Sequence, residues 1–176
     1  MTGLHGLLAE FLRPDDLVRA ARRAHEEGYR RMDAYSPLPV HGLADAIGFH
    51  RTRLPLLVLA GGAAGALGGF ALQYGLNAVD YPLDVGGRPL NSWPAFVVVS
   101  FELAILVAAL TAVLGMFALN GLPRPHHPVF NAEAFARASR DRFFLCIETR
   151  DPRFDLERTR AFLASLDPAA VHEVPR

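Results

Sequence analysis

A chain of 176 residues with a formal net charge of +0, whose 18 basic residues are all Arg, has no global excess of positive charge of the kind nucleic-acid binding requires. At 51% hydrophobic and 20% charged residues, with a mean hydropathy of +0.19, it would pass for an apolar soluble domain, but its charges avoid two long stretches almost completely. The solitary Cys146 excludes an intramolecular disulfide, Cys-x-x-Cys metal sites and covalent c-type haem.

In chain order, Met1 to Arg13 lacks a basic start, an apolar core and a small-residue cleavage site, so no cleaved signal peptide is expected there. LHGLLAEF, residues 4–11, suits a strand. Arg13-Pro14-Asp15 is a helix entry, and Asp15 to Glu27 is amphipathic through Leu17, Val18, Ala20, Ala21 and Ala24, with Gly28 to end it. Tyr29 to Ser36 suits a returning strand. A connector follows from Tyr35 to Arg53, with Pro37, Pro39 and His41, and a short helix expected around Leu43 to Ile47.

Residues 54–74 carry no charge and residues 95–119 carry one, Glu102; a bilayer core of about 30 Å needs about 20 apolar helical residues. Two transmembrane helices are therefore expected, since two buried helices of that kind would demand a core the remaining residues cannot build. Eight arginines precede the first span, nine follow the second, and only Arg88 lies between. Basic flanks stay on the cytoplasmic side. Residues 75–94 then form an outer, periplasmic loop, with Tyr74, Tyr81 and Trp93 at the interface and Pro82, Gly86, Gly87 and Pro89 making turns. In the first span Gly61, Gly65 and Gly69 recur every four residues. Such a stripe lets backbones approach closely in lipid, and its partner is either the second span, through Ala104, Ala108, Ala112 and Gly115, or a helix of another subunit.

Glu102 lies roughly 6 to 12 Å inside the apolar region at 1.5 Å per residue. An ionised carboxylate there is costly, so it faces protein, pairs or stays protonated. It reads as a proton-handling or ion-pairing site, or more blandly as a hydrogen bond to a neighbouring helix or a side chain snorkelling outward.

After the spans, Asn120 to Phe130 is a second connector with three prolines, Pro123, Pro125 and Pro128, and the pair His126-His127. Adjacent histidines on an extended chain point apart, and no Asp or Cys stands at ligand spacing, so both connectors read as partner-docking segments rather than metal sites. Arg142 to Thr149 (RFFLCIET) is the most strand-like run, Phe154 to Leu166 is helical in period, and Ala170 to Val174 is a closing strand. Two strand-helix-strand halves, residues 1–53 and 120–176 with their connectors, make the pattern of a ferredoxin-like α+β domain, opened between its second and third strands by the membrane hairpin. Neither half could bury much core alone.

The stretches GYRRMDAYSPLPVHGL (28–43), VDYPLDVGGRPL (79–90), SWPAFVVVSFELAIL (92–106), NGLPRPHHPVF (120–130) and DRFFLCIETRDPRFD (141–155) resemble the ActD subunit of bacterial alternative complex III. That is the small two-span membrane component of a quinol:cytochrome c, or high-potential iron-sulfur protein, oxidoreductase unrelated in fold to the cytochrome bc complex. The resemblance covers most of the chain. It implies an accessory subunit in the inner (cytoplasmic) membrane, with its domain in the cytoplasm and no redox cofactor of its own, among membrane and periplasmic subunits that bear haem and iron-sulfur clusters. None of the seven histidines lies in a span, so no transmembrane b-type haem is ligated through His. No catalytic, cofactor-binding or metal residue carries over.

Two other classes compete with the subunit reading. A small homo-oligomeric transporter or proton-conducting subunit would use Glu102, but the second span otherwise offers only Ser100 and Thr111 as polar residues, a poor pore. An independent enzyme is weakest, since no nucleophile-base pair, Gly-x-Gly-x-x-Gly or Walker motif is present.

Overall fold

The computed structural model describes residues 3–49 and 52–176; Met1, Thr2 and the connector residues His50 and Arg51 lie outside the described residues. The chain divides into two compact units, Met1–His50 with Pro125–Arg176, and Arg51–Arg124.

The first unit is α+β. Strand β1 (Leu4–Phe11) is followed by helix α1 (Pro14–Glu26) and strand β2 (Met32–Tyr35). Pro14 opens α1 where its missing N–H is not needed, and Asp15 and Asp16 in the first turn, with Arg23 and His25 in the last, suit the helix dipole. Gly28, at φ +96°, turns the chain out of the helix in a conformation a side chain would strain. The short helix α2 (Leu43–Ala46) lies in the connector, whose Val40, Leu43 and Ile47 pack on the core. Later in the chain come strand β3 (Phe143–Glu148), a helix (Leu156–Ala164) and strand β4 (Ala170–Pro175).

These strands form one antiparallel sheet in the order β2-β3-β1-β4. β1 and β3, the central pair, run in register from Gly6 opposite Glu148 to Phe11 opposite Phe143. Because β3 opposes both β1 and β2, the first two strands are parallel with β3 between them; β3 and β4 enclose β1 in the same way. Residues from before and after the apolar segment therefore alternate across the sheet. Neither half is a sheet without the other.

Both faces of the sheet are covered. Leu7, Ala9 and Phe11 of β1 and Phe143, Leu145 and Ile147 of β3 meet Leu17, Ala20, Ala21 and Ala24 of α1 and Leu163 of the later helix. The alternate residues Leu8, Phe144 and Cys146, with Val174, face Val129, Ala132, Phe135 and Ala138. Those four belong to two 3-10 turns, Pro128–Asn131 and Glu133–Ser139, and the residue that joins them. The spacing of small and apolar residues there fits neither a strand nor an α-helix, and residues 131–141 carry no expected element, so this second cover is a finding of the structure. It draws the end of the second connector into the domain.

The second unit is a helical hairpin. Helix α3 (Leu54–Tyr74) continues through a π-helical turn, Gly75–Asp80, and helix α4 spans Trp93–Asn120. Helical geometry thus runs six residues into the segment read as an outer loop; no Pro interrupts the chain until Pro82, and Asn77 donates to the Gln73 carbonyl at 2.9 Å. The two helices, with mean hydropathy 1.7 and 2.5 in their apolar windows, are long and apolar enough to cross a membrane. The helix Leu156–Ala164 of the first unit is α5.

Candidate functional site

Within the hairpin, α3 and α4 approach through small residues. A Cβ added to Gly65 would lie 2.5 Å from the Leu103 carbonyl oxygen, one on Gly69 2.9 Å from Ser100 Cα, and one on Gly61 against the Thr111 side chain. Gly62 faces Ala108 and the Ala104 carbonyl, and Gly115 faces Leu54. Ala112 is half-buried. The glycine stripe therefore packs on the second helix of the same chain. Gln73 adds a polar tie, donating to the Phe96 carbonyl at 2.8 Å, while the Ser100 and Thr111 hydroxyls donate to carbonyls one turn back, those of Phe96 and Val107 at 2.7 Å.

Glu102 is not part of that seam. It is exposed, and no hydrogen bond or ion pair holds its carboxylate among the described residues. Successive helix residues rotate by about 100°, so Glu102 stands about 200° round from Ser100 and about 160° from Ala104. It points away from α3. Its neighbours one turn off, Val98, Ile105 and Leu106, are exposed and apolar.

In the α+β unit the buried charges are partnered. Glu10, 3% exposed on the second face of the sheet, accepts from Arg137 at 2.7 Å and Arg142 at 3.0 Å, and lies 3.2 Å from His172 Nε2. Beside this cluster is an open hollow of about 700 Å³ lined by Asn131, Glu133, Arg137, His172 and Glu173 among others. Asp151 accepts the backbone N–H groups of Arg30 at 2.6 Å, Arg31 at 2.7 Å and Arg153 at 2.8 Å. Burial disfavours its charge, but those three donors and the Arg30 charge outweigh it and hold the carboxyl below its ordinary range. By occupying the N–H groups of Arg30 and Arg31 this carboxylate delays β2 to Met32. It clasps a residue from after the apolar segment onto the turn before β2. Asp-Pro at 151–152 is a turn signal, the one cue in the sequence to a clasp that pattern reading missed.

The connector residues divide between two situations. Tyr35 belongs to β2 and its ring meets Phe135 edge-on at 4.9 Å; burial, then Asp33, Cys146 and Glu148, raises its hydroxyl pKa. His127 caps the following turn through Nδ1, 3.3 Å from the Val129 N–H, and its ring stands edge-on to His5 at 5.3 Å. Pro37 and Pro128 are half-buried, whereas Pro39, His41 and Pro125 reach the surface. His5 Nε2 is buried without a partner. Burial lowers the His5 pKa first; Glu148 opposes this, and His127, Arg150 and Arg176 add to it. Burial beside Asp33 and Glu148 pushes the Cys146 thiol up to about 12, which makes it inert at neutral pH. Among the described residues no group of three or more His, Cys, Asp or Glu side chains stands together in a way that would hold a metal ion.

Residues 5–173 match the model of a family described as "Alternative complex III, ActD subunit". No curated protein matches the chain.

Proposed function

The chain belongs to the family of alternative complex III ActD subunits, and from that membership we propose that it is an accessory, structural subunit of this respiratory complex, without a redox cofactor of its own. One observation carries the reading beyond the family: in the hairpin the small residues face each other and the large ones, such as Leu59, Leu67 and Leu114, face outward. Such a surface suits lipid and neighbouring membrane helices and does not suit water. The hairpin accordingly spans the inner (cytoplasmic) membrane, the arginine-rich ends lie in the cytoplasm, and residues 75–94 include the outer turn.

The α+β unit is read as a ferredoxin-like domain interrupted between β2 and β3. The order β2-β3-β1-β4 and the two interleaved strand-helix-strand crossovers support this. Other membrane and periplasmic subunits, haem- and iron-sulfur-bearing ones among them, would be the partners, and the exposed connector residues Pro39, His41 and Pro125, with Phe130, the surface offered to a membrane subunit on the cytoplasmic side.

Extraction in mild detergent by way of a tag on this chain tests the reading. Multihaem absorbance and quinol-oxidising activity are expected to co-purify with it, and a self-contained homo-oligomer free of haem would overturn it. Depletion of the chain is expected to lower the amount of assembled complex while leaving activity per haem unchanged.

A further inference from the structure

We propose that the outward face of α4 around Glu102 is an interaction surface for a transmembrane helix of another subunit, one that carries an Arg or Lys side chain at the depth of Glu102. The proposal rests on the membrane-subunit reading above and names the face and chemistry by which the hairpin is held.

The two outer faces of the hairpin differ in one respect that bears on a partner. That of α3 is wholly uncharged, with Leu56, Leu59 and Leu67 exposed, and lipid covers such a face without penalty. That of α4 is equally apolar but carries one carboxylate. Seven residues separate Glu102 from Ala95, about 10 Å along the axis, and helix continues for eighteen residues beyond it to Asn120. A glutamate stem of two methylenes is too short to carry its head group to the interface from there, unlike the longer stems of Lys and Arg.

Among the described residues nothing relieves that charge. The polar groups of the hairpin, Gln73, Ser100 and Thr111, lie on the seam between α3 and α4 and bond to one another or to carbonyls there. Glu102 stands on the opposite side of α4. An acidic group in lipid is tolerated where it meets a complementary charge, and the chain itself keeps its basic residues outside the apolar helices: α3 and α4 contain no Arg. The complement therefore comes from another polypeptide. A second copy of this chain would bring a second carboxylate to the same depth and repel rather than pair.

The experiment uses the assembled complex, purified through a tag on this chain, with haem per mole of chain as the readout. Glu102→Leu and Glu102→Gln are each expected to weaken retention of the haem-bearing subunits roughly thirty-fold or more, the change that truncating one member of a buried charge pair brings, while Glu102→Asp keeps most of it. The amount of chain in the membrane is expected to be unaffected, since Glu102 does not touch α3. Wild-type haem content with either neutral variant would overturn the proposal. A photo-crosslinker at Ile105 is expected to give an adduct with a membrane subunit of the complex; an adduct between two copies of this chain would also overturn it. If the unmodified chain carries no haem, the subunit reading itself has failed; if it does and the variants do too, only the Glu102 pairing has.

Discussion

Leu8 and Leu59 are the same residue with opposite fates: the first is 0% exposed between the sheet and its 3-10 cover, the second 68% exposed on α3. The α+β unit buries most of its large apolar side chains and, Glu10 and Asp151 apart, shows most of its charges. The hairpin turns most of its large side chains out and packs its two helices through small residues such as Gly61, Gly65 and Gly69. Removing apolar area from water stabilises a fold by about 25 cal/mol per Å², which makes large side chains the natural filling of the first unit. Between helices in lipid that driving force is absent, and close backbone contact takes over. With the hairpin in the membrane, as proposed above, one chain holds two packing schemes for two solvents.

The strongest attempt to break that contrast is a pair of truncations. Phe144→Ala, at a site 0% exposed, is expected to cost about 3–5 kcal/mol, a large part of the roughly 5–15 kcal/mol a small domain possesses. Urea unfolding followed by alkylation of Cys146 would measure it, because that thiol is inert until the second face opens. Leu59→Ala is expected to leave both units unchanged. A matching loss at Leu59 would mean that the outer face of α3 is buried against protein.

Asp151→Asn comes next, with an expected loss of about 2 kcal/mol at neutral pH, the order of a hydrogen-bonded charge. The sign in pH follows from its lowered pKa. Its stabilisation is complete above the unfolded value near 3.9 and vanishes as the pH falls through the lower folded value. The difference between wild type and variant, read from urea midpoints, is therefore expected to shrink only below about pH 4. A difference independent of pH down to about 2 would show that the clasp acts through shape rather than charge.

In the hairpin the corresponding test is Gly65→Val. Its Cβ would meet the Leu103 carbonyl oxygen at 2.5 Å and Ala104 Cα at 3.0 Å, both backbone atoms that cannot swing aside. The helices must separate, at an expected cost of about 1–3 kcal/mol, seen as loss of helicity at lower SDS fractions. Gly68→Val, with nothing within 4 Å, is the control and is expected to behave as wild type. Equal behaviour of the two would rule out the seam as the source of hairpin stability.

These features were unequally legible in the sequence. LHGLLAEF is a strand over the residues its pattern indicates, and the helix expected from Asp15 forms one residue earlier because Pro14 is suited to the first turn. The four strands and the two apolar helices are all present. Helix α5 starts at Leu156 rather than Phe154 because Asp155 caps it, its carboxylate accepting the Arg158 N–H at 2.9 Å. What periodicity could not convey is the second cover: Val129, Ala132, Phe135 and Ala138 recur every three residues across two 3-10 turns and the extended residue Ala132 between them, a spacing too short-lived to read as a helix. Nor could it pair Glu10 with Arg137, Arg142 and His172, which are brought together only by the folding of the sheet and its 3-10 cover. Glu102 stood out in the sequence as the one charge in an apolar run, but its direction depended on which residues of α4 meet α3.

The mildest test of the contrast concerns pH, where the first unit should respond and the hairpin seam, formed by uncharged groups, should not. His5 is held below its ordinary pKa by burial, with His127, Arg150 and Arg176 adding to the effect against Glu148. A histidine kept neutral by the fold binds fewer protons folded than unfolded. Its contribution is therefore intact above about pH 6.5 and declines as the pH falls from there toward the folded value. Alkylation of Cys146 under native conditions is expected to quicken modestly between about pH 7 and pH 5, after correction for thiolate content. His5→Phe, which keeps an aromatic edge for His127 and removes the titration, is expected to flatten that slope. SDS unfolding of the hairpin is expected to be the same at both pH values in either protein. A slope unchanged by His5→Phe would show that the response does not come from His5, and a pH-dependent hairpin would place a titrating group on the α3–α4 seam.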